Sequence, residues 1–352
     1  MTDKSAIRAE ADRLRALFEA RGAEVFETDI LQPAGALLDL YGEDIRARAF
    51  TTHDPLRGEM MLRPDFTMPL VQRHVTEGRD DGRYAYAGEV FRRQEDDPDR
   101  DAEYLQVGYE IFGGKVAVEA DAEVFAAFAE ILAPLGLRPA TGDIGLLRAA
   151  IEGLDTSAAR KAALMHHLWR PRRFRGLLNR CGQVTPAAEW RDAGSGIEFG
   201  LRTRAEVVAR LDALETERAV APLGAAVIGS IDALLDIRGK APDALAALRE
   251  IASELPSILP AIEVLATRLA ALDALSVDAD SLDFEVSYGR TTLEYYDGFV
   301  FGFFADQRPG LPPVASGGRY DALSRAIGGA CGRPAVGGVL RPGLMLGLGS
   351  GS

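Results

Sequence analysis

The sequence is poor in cysteine and contains no long hydrophobic run. Only two of its 352 residues are cysteines, Cys181 and Cys331, which is too few for a disulfide framework and is typical of a reducing compartment. No apolar stretch approaches the ~18 residues of a membrane-spanning helix, and the polar start of the chain does not resemble a secretory signal. We therefore expect a cytoplasmic protein that does not span a membrane.

Positive charge is also scarce. The chain has 53 acidic and 40 basic residues, which gives a net charge of −13. Because nucleic-acid-binding proteins gain much of their affinity by neutralising phosphates with lysine and arginine, this balance disfavours nucleic acid as a partner. One local basic cluster occupies residues 170–175, Arg-Pro-Arg-Arg-Phe-Arg. We interpret it as a solvated helix end or as a patch for an acidic partner.

Patterns typical of metal sites and phosphate loops are missing as well. The four histidines have no ligand spacing with either cysteine, and adjacent helical side chains such as His166 and His167 diverge by about 100°. The glycine pairs at 317–318 and 337–338 lack the Lys-Ser/Thr context of a phosphate loop. We predict no metal and no cofactor, and we expect these glycines to allow close approach of the backbone at a pocket.

A β-hairpin is predicted in the first half of the chain. Large and aromatic residues recur with period two over residues 84–91 and 104–112, around a polar and acidic loop at 94–102, which is typical of two antiparallel strands. Gln106, Gly108 and Glu110 alternate along the second strand, so they face the same side. An amide, bare backbone and a carboxylate on one face suit a pocket for a small polar ligand, but a solvated strand face fits the same pattern.

The remaining patterns indicate an α+β protein with a helical insertion. Helical spacing predicts amphipathic helices over residues 3–21 and 117–135. From 146 to 275 the composition shifts to Ala, Leu, Glu and Arg with helical spacing and no fixed repeat, which predicts an inserted all-helical subdomain. Residues 1–145 and 276–352 would then form one domain. Its later strands are expected at 282–288, 293–296 and 299–304.

Four ordered motifs resemble those of the class II aminoacyl-tRNA synthetases, and of the histidyl-tRNA synthetases in particular. They are Leu-Arg-Pro-Asp-Phe-Thr at 62–67, the stretch from Phe-Arg at 91–92 to Gln-Val-Gly-Tyr-Glu at 106–110, Leu-Glu-Tyr-Tyr-Asp-Gly at 293–298, and Ser-Gly-Gly-Arg-Tyr-Asp at 316–321. The similarity covers almost the whole chain, and four motifs in order are more specific than one alone. The resemblance implies an antiparallel sheet flanked by helices, and a homodimer.

The same resemblance implies a histidine-binding site. Its residues would be Asp65, Thr67, Gln106, Glu110, Tyr296 and Tyr320. The two carboxylates can balance an α-ammonium group and accept a hydrogen bond from an imidazole N–H, while each tyrosine offers a hydroxyl on a flat apolar body.

Three further residues near these motifs have less definite roles. Tyr295 would point to the opposite strand face from its neighbour, so we expect it in the core. Arg92 and Arg319 are either remnant contacts to the phosphates of ATP or ion pairs within the sheet.

The sequence departs from the synthetases where they carry out ATP chemistry. Thr291 stands at the position of an arginine that stabilises charge on the reacting phosphate, and the neighbouring Arg290 would project from the other strand face unless a bulge intervenes. Gln94 replaces a glutamate. In the third class motif, either Leu344 occupies the arginine position or Arg341 is shifted from it. We therefore predict no catalytic residues and no aminoacylation activity.

A histidine pocket without ATP chemistry resembles the synthetase-like regulatory subunits of ATP phosphoribosyltransferase. The resemblance implies a non-catalytic subunit that assembles with a short-form catalytic subunit, is required for the first step of histidine biosynthesis, and confers feedback inhibition by histidine. We expect neither an anticodon-binding domain nor tRNA binding. The alternatives are a truncated histidyl-tRNA synthetase and another synthetase-like amino-acid-binding protein.

Overall fold

Two β-sheets form the framework of the protein. The computed structural model describes residues 3–35, 42–94, 100–114, 117–184, 203–290 and 295–349, and within these residues the strands form a nine-stranded and a three-stranded sheet. The strands are β1 (Glu24–Val25), β2 (Leu31–Pro33), β3 (Thr51–Asp54), β4 (Gly58–Leu62), β5 (Gly82–Phe91), β6 (Glu103–Phe112), β7 (Arg138–Asp143), β8 (Arg238–Lys240), β9 (Asp283–Glu285), β10 (Phe299–Phe304), β11 (Ala315–Arg319) and β12 (Ala335–Leu340).

The large sheet has the order β1-β5-β6-β12-β11-β10-β7-β9-β8. Its central strands, from β5 to β7, pair antiparallel, whereas β1 with β5 and β7 with β9 pair parallel. The small sheet has the order β2-β4-β3. The predicted α+β fold with an antiparallel sheet flanked by helices is confirmed, with two parallel pairs added outside the antiparallel centre.

Helices cover the large sheet and fill the segment before β9. The α-helices span Lys4–Glu19, Gly42–Arg48, Thr67–Thr76, Ala117–Leu132, Ile144–Glu152, Ala158–His166, Pro171–Cys181, Arg204–Arg218, Ala225–Asp236, Ala241–Ile251, Leu259–Ala274, Asp321–Gly328 and Pro342–Gly349. None of these described helices is both long and apolar enough to cross a membrane.

The predicted hairpin is present in the structure. β5 and β6 pair antiparallel along their whole length, from Gly82 opposite Phe112 to Phe91 opposite Glu103. On one face of β6, the Tyr109 ring stacks on Phe18 of the first helix at 4.8 Å. On the other face Gln106 and Glu110 are almost fully buried. The interpretation of this face as a solvated surface is therefore wrong.

The two predicted amphipathic helices pack on the same side of the sheet. The helix Lys4–Glu19 buries Ala11, Leu14 and Phe18. The helix Ala117–Leu132 ends in a 3-10 turn, and its Phe128 ring lies 5.6 Å from that of Phe301 in β10. The 3.6-residue periodicity of apolar residues therefore predicted both helices, because each helix turns its apolar stripe toward the sheet.

The segment between residues 146 and 275 is mainly helical, but it contributes β8 to the edge of the large sheet, where β8 pairs with β9. Its helix Leu259–Ala274 packs against Ala117–Leu132 through a buried ion network. The boundaries of a separate subdomain therefore stay a prediction.

Of the strands predicted after this segment, the one at 299–304 is confirmed as β10. Within 282–288 only Asp283–Glu285 forms a strand, because the chain turns at Tyr288, whose N–H donates to the carbonyl of Glu285, and at Gly289, which has φ +91°. Part of the strand predicted at 293–296 lies outside the described residues, and Tyr295 sits in a turn.

Candidate ligand-binding site

A cavity of about 260 Å³ lies against neighbouring strands β6, β12, β11 and β10. Its walls include all six residues predicted to bind histidine, together with Arg92. It is smaller than most drug-binding pockets, as suits a single small metabolite. The residues predicted for the amino-acid site are Asp65, Thr67, Gln106, Glu110, Tyr296 and Tyr320, and each of them is at most 6% exposed.

Glu110 lies at the centre of the polar wall. Its Oε1 accepts hydrogen bonds from the hydroxyls of Thr67 at 3.2 Å and Tyr86 at 2.9 Å, and its Oε2 accepts one from Tyr320 at 2.7 Å. Burial raises the pKa of Glu110 to about 7, although the three hydroxyl donors act in the opposite direction. Its position and rotamer are therefore fixed while its charge is sensitive to pH near neutrality.

Two glycines make this arrangement possible. A Cβ at position 108 would overlap the ring of Tyr86, which lies across from it in the hairpin register. A Cβ at position 337 would overlap the carboxylate of Glu110, its partner in the pairing of β6 with β12. Bare backbone at these positions gives Glu110 and its hydroxyl donor the space they occupy.

Tyr86 is a site residue that the sequence analysis missed. It is fully buried, its hydroxyl donates to Glu110, and its ring stacks on Phe66 at 4.4 Å. The signal was present in the hairpin, since a large residue on β5 opposite Gly108 on β6 must fill the space that the glycine leaves.

Asp65 is a second buried carboxylate in the cavity. It precedes the helix Thr67–Thr76, and its Oδ1 accepts a long hydrogen bond of 3.4 Å from the N–H of Met68. A carboxylate near a helix N-terminus is stabilised by the helix dipole. Asp65 therefore supplies negative charge close to Glu110, whose pKa it raises as a lesser cause beside burial.

Gln106 is the clearest sign that a polar ligand belongs here. Its side chain is 1% exposed, and neither its Nε2 nor its Oε1 has a hydrogen-bond partner among the described residues. A buried amide can donate two hydrogen bonds and accept others, and leaving them unmade costs free energy. A ligand with a polar group beside Gln106 would remove that cost.

Three tyrosines form the aromatic wall. Tyr295 lies with its ring 5.0 Å from Tyr296 and 6.0 Å from Tyr320, and all three line the cavity. Tyr295 belongs to the hydrophobic core, as expected, but it also lines the cavity, because it lies in a turn, where the alternation of strand side chains does not apply. Burial raises the pKa of each of these tyrosines, so their hydroxyls remain protonated donors.

Four arginines also line the cavity. They are Arg48, Arg92, Arg100 and Arg341, of which Arg100 is exposed while Arg48 and Arg341 are half-buried. The Nε of Arg92 donates to the carbonyl of Pro64 at 2.7 Å. Burial lowers the pKa of Arg341, and the nearby guanidinium groups of the other three lower it further. The cavity thus combines deeply buried carboxylates with four cationic groups, of which Arg100 is exposed to solvent.

The structure separates the other predicted arginines from the cavity. Arg319 donates to Asp121 and Asp321 at 2.9 Å each, and we withdraw it as a phosphate contact because its donors serve this buried ion network. The Nε of Arg290 donates to the carbonyl of Leu168, so Arg290 does not replace the missing catalytic arginine. Thr291 lies outside the described residues.

In the third class motif it is Arg341, not Leu344, that lines the cavity. Among the described residues no group of three or more His, Cys, Asp or Glu side chains is arranged to hold a metal ion.

The fold and the cavity together define a protein of the class II aminoacyl-tRNA synthetase type. The family model described as histidyl-tRNA synthetase matches residues 2–183 and 200–342. An ATP phosphoribosyltransferase regulatory subunit from Rhizobium etli is 30% identical over 93% of this chain and 94% of its own length. One from Brucella anthropi is also 30% identical, over 92% of this chain and 93% of its own. The chain belongs to the histidyl-tRNA synthetase family, in the branch of the ATP phosphoribosyltransferase regulatory subunits.

Solved structures agree on the fold. The ATP phosphoribosyltransferase regulatory subunit/histidyl-tRNA synthetase of Bacillus halodurans superposes with a TM-score of 0.71 at 20% identity, covering 99% of this chain and 81% of that chain. The histidyl-tRNA synthetase of Nostoc gives a TM-score of 0.65 at 18% identity, covering 98% of this chain and 72% of that chain. At these identities the likeness concerns the fold alone.

Proposed function

We propose that this chain is the regulatory subunit of an ATP phosphoribosyltransferase and that it binds free histidine in the cavity. The observation that most supports histidine as the ligand is the buried, unpartnered amide of Gln106, which lines the same cavity as the carboxylate of Glu110 with its hydroxyl donors. Family membership supports the regulatory role, because the relatives from Rhizobium and Brucella bear that name.

The charges in the cavity suit the three polar groups of histidine. Asp65 can balance the α-ammonium group, while Glu110 can accept a hydrogen bond from an imidazole N–H. The arginines that line the cavity can pair with the α-carboxylate. A site that hydrogen-bonds an imidazole should reject phenylalanine strongly, since binding phenylalanine would leave buried polar groups unpaired.

The regulatory role requires a partner. In this proposal the chain forms a homodimer in the cytoplasm, assembles with a short-form catalytic subunit, is required for its activity, and makes that activity sensitive to histidine. It neither aminoacylates nor binds tRNA. Feedback inhibition then means that histidine in the cavity shifts the assembled enzyme toward an inactive state, with a coupling of about 1–3 kcal/mol as is common for allosteric proteins.

An activity assay with the short-form catalytic subunit of the same genome tests this function. We expect ATP phosphoribosyltransferase activity only when both chains are present, and we expect added histidine to reduce it. Glu110→Ala should blunt the inhibition while the complex still forms. Glu130→Ala, which changes an exposed glutamate on the helix Ala117–Leu132, is the matched control and should keep full inhibition. Absence of activation by the unmodified chain would reject the proposal.

One observation favours a second function. Arg92, Arg100 and Arg341 all line the cavity, and guanidinium groups there could bind the phosphates of ATP as in an active synthetase. Histidine-dependent exchange between ATP and pyrophosphate distinguishes the two functions. Exchange above background would support a truncated synthetase, whereas the regulatory function predicts none.

A further inference from the structure

The helix Pro171–Cys181 has one strongly basic face, away from the cavity. Phe174, Leu178 and Cys181 anchor the opposite face of this helix in the core. Arg172, Arg173 and Arg180 are exposed. At about 100° per residue, these three arginines and Gly176 fall within an arc of about 100°.

These guanidinium groups stand out in an acidic protein. Arg172, Arg173 and Arg180 form no ion pair or hydrogen bond through their side chains with the described part of the chain. Arg175, just outside the arc, does pair with Asp232 at 3.1 Å and Asp236 at 3.8 Å. Among the described residues, the basic face therefore has no carboxylate paired with these three arginines, while the overall net charge is −13.

Gly176 opens the helix backbone in the middle of this face. A Cβ added there would meet nothing within 4 Å, so no internal packing requires the glycine. Glycine inside a helix is less favourable than alanine by about 1 kcal/mol. Without a side chain at this position, a carboxylate group can approach the helix backbone closely between the three arginines.

The edge of the basic face favours a protein rather than a nucleic acid. Asp232 and Asp236 lie beside it, next to Arg175, and would repel a continuous track of phosphates. A folded partner can instead match both signs of charge, with its own carboxylates against the arginines and cations against the aspartates.

We propose that the basic face of Arg172, Arg173, Gly176 and Arg180 docks a carboxylate-bearing surface of the catalytic phosphoribosyltransferase subunit. This inference rests on the proposed function and names the surface through which that complex forms. Arginine pairs well with carboxylates because its planar group can donate two parallel hydrogen bonds. The positive patch also steers an acidic partner toward this side of the molecule.

A direct chain of contacts joins this docking face to the cavity. Arg290 donates from Nε to the carbonyl of Leu168 at 2.8 Å, and its guanidinium lies 5.0 Å from the ring of Phe174 on the docking helix. Two residues earlier, Tyr288 lines the cavity. A shift of this turn on histidine binding would therefore move the start of the docking helix, which gives regulation a physical route.

Charge reversal on the face tests the docking surface. The variant R172E/R173E/R180E is compared with R238E/R249E/R308E, which makes the same charge change at exposed arginines on other elements. Sedimentation velocity with the labelled catalytic subunit measures the apparent Kd of the complex at low and high salt. We expect the first variant to weaken assembly at least tenfold and the control to stay within twofold of the unmodified chain. Weaker assembly of the unmodified chain at high salt is also expected.

Thermal unfolding shows that each variant is folded. A milder variant, R172Q/R173Q/R180Q, should give a smaller loss of the same kind. Equal assembly by the reversed and control variants would overturn the docking surface and leave the proposed function intact. Failure of the unmodified chain to assemble would overturn both. The unmodified chain and the control variant could instead bind a structured RNA that R172E/R173E/R180E does not bind. If assembly with the catalytic subunit were unchanged in that case, the face would be assigned to nucleic acid.

Discussion

Individual buried polar residues of the cavity lower the stability of the folded chain. Asp65, Gln106 and Glu110 are each at most 2% exposed, and burial of polar groups costs free energy unless every hydrogen bond is made. Glu110 has three hydroxyl donors, whereas Gln106 has none. A site that is incomplete without its ligand is expected to trade stability for binding.

Gln106→Leu should separate stability from binding. The leucine removes a buried amide without partners, so we expect the free protein to be unchanged or more stable by about 1 kcal/mol. Histidine affinity should fall at least tenfold because the ligand loses its partner. Thermal unfolding and calorimetric titration measure the two effects.

Gln32→Leu is the matched control for that substitution. Gln32 is also buried, but its Nε2 donates to Thr28 at 3.0 Å and to the carbonyl of Asp29 at 2.6 Å. Its loss should destabilise the chain by about 1–2 kcal/mol and leave histidine affinity unchanged. The same effect from both substitutions would contradict a ligand-binding role for Gln106.

Glu110 should make stability depend on pH in a defined direction. Its pKa of about 7 in the folded chain lies above its usual value of 4.5, so the native state holds the proton over a range in which the unfolded chain has lost it. The stabilising contribution is therefore complete below pH 4.5 and is lost as the pH rises through 7. Without histidine, the stability of the unmodified chain relative to Glu110→Gln should fall by on the order of 3 kcal/mol between pH 4.5 and 8. Denaturant unfolding at several pH values measures it, and a constant difference would contradict a buried, titrating Glu110.

At the scale of elements, the site depends on the close pairing of β6 with β12. Gly337 lies opposite Glu110 in this register, and any side chain there would collide with the carboxylate. Gly337→Ala should therefore destabilise the chain by about 1–3 kcal/mol through overpacking. Histidine affinity should fall with it, because Glu110 must leave its hydroxyl donors.

Gly347→Ala provides the comparison. Gly347 lies in the helix Pro342–Gly349, and a Cβ there would meet nothing within 4 Å. Alanine should stabilise this helix by up to about 1 kcal/mol and leave binding unchanged. If Gly337→Ala behaved in the same way, the close approach of β12 to Glu110 would not matter for the site.

The elements also show which parts of the site the sequence could predict. The hairpin followed from its period-two pattern, and that pattern placed Gln106 and Glu110 on one face because alternation is a local property of a strand. The contact of Tyr295 with the cavity was missed because Tyr295 lies in a turn, where strand alternation does not apply. The ion pairs of Arg319 depend on which strands and helices become neighbours, and a single sequence does not encode that in its local spacing. Tyr86 differs, because it lies opposite Gly108 within the predicted hairpin.

At the scale of the whole molecule, buried charges hold the helical segment to the sheet. Arg268 of the helix Leu259–Ala274 donates to Asp121 at 2.9 Å and to Asp143 at 2.7 Å, and all three side chains are almost fully buried. Asp121 also pairs with Arg319 at the end of β11. Asp143 in addition caps the helix Ile144–Glu152 by accepting from the N–H of Gly145. One buried arginine thus joins two helices and the end of β7.

Arg268→Met should destabilise the protein by about 3–5 kcal/mol, because two carboxylates would stay buried without their cation. Arg249→Met, at an exposed position in the same segment, should change stability by less than about 0.5 kcal/mol. Adding Asp143→Asn to Arg268→Met should restore part of the loss, since the amide removes one unpaired charge and still caps the helix. Denaturant unfolding of the unmodified chain, Arg268→Met, Asp143→Asn and the double variant gives the coupling between the two positions. If Arg268→Met and the double variant lost the same free energy of unfolding, the charge of Asp143 would not be what makes Arg268 necessary. The packing of the Arg268 guanidinium over the Phe299 ring at 4.7 Å would then account for the effect.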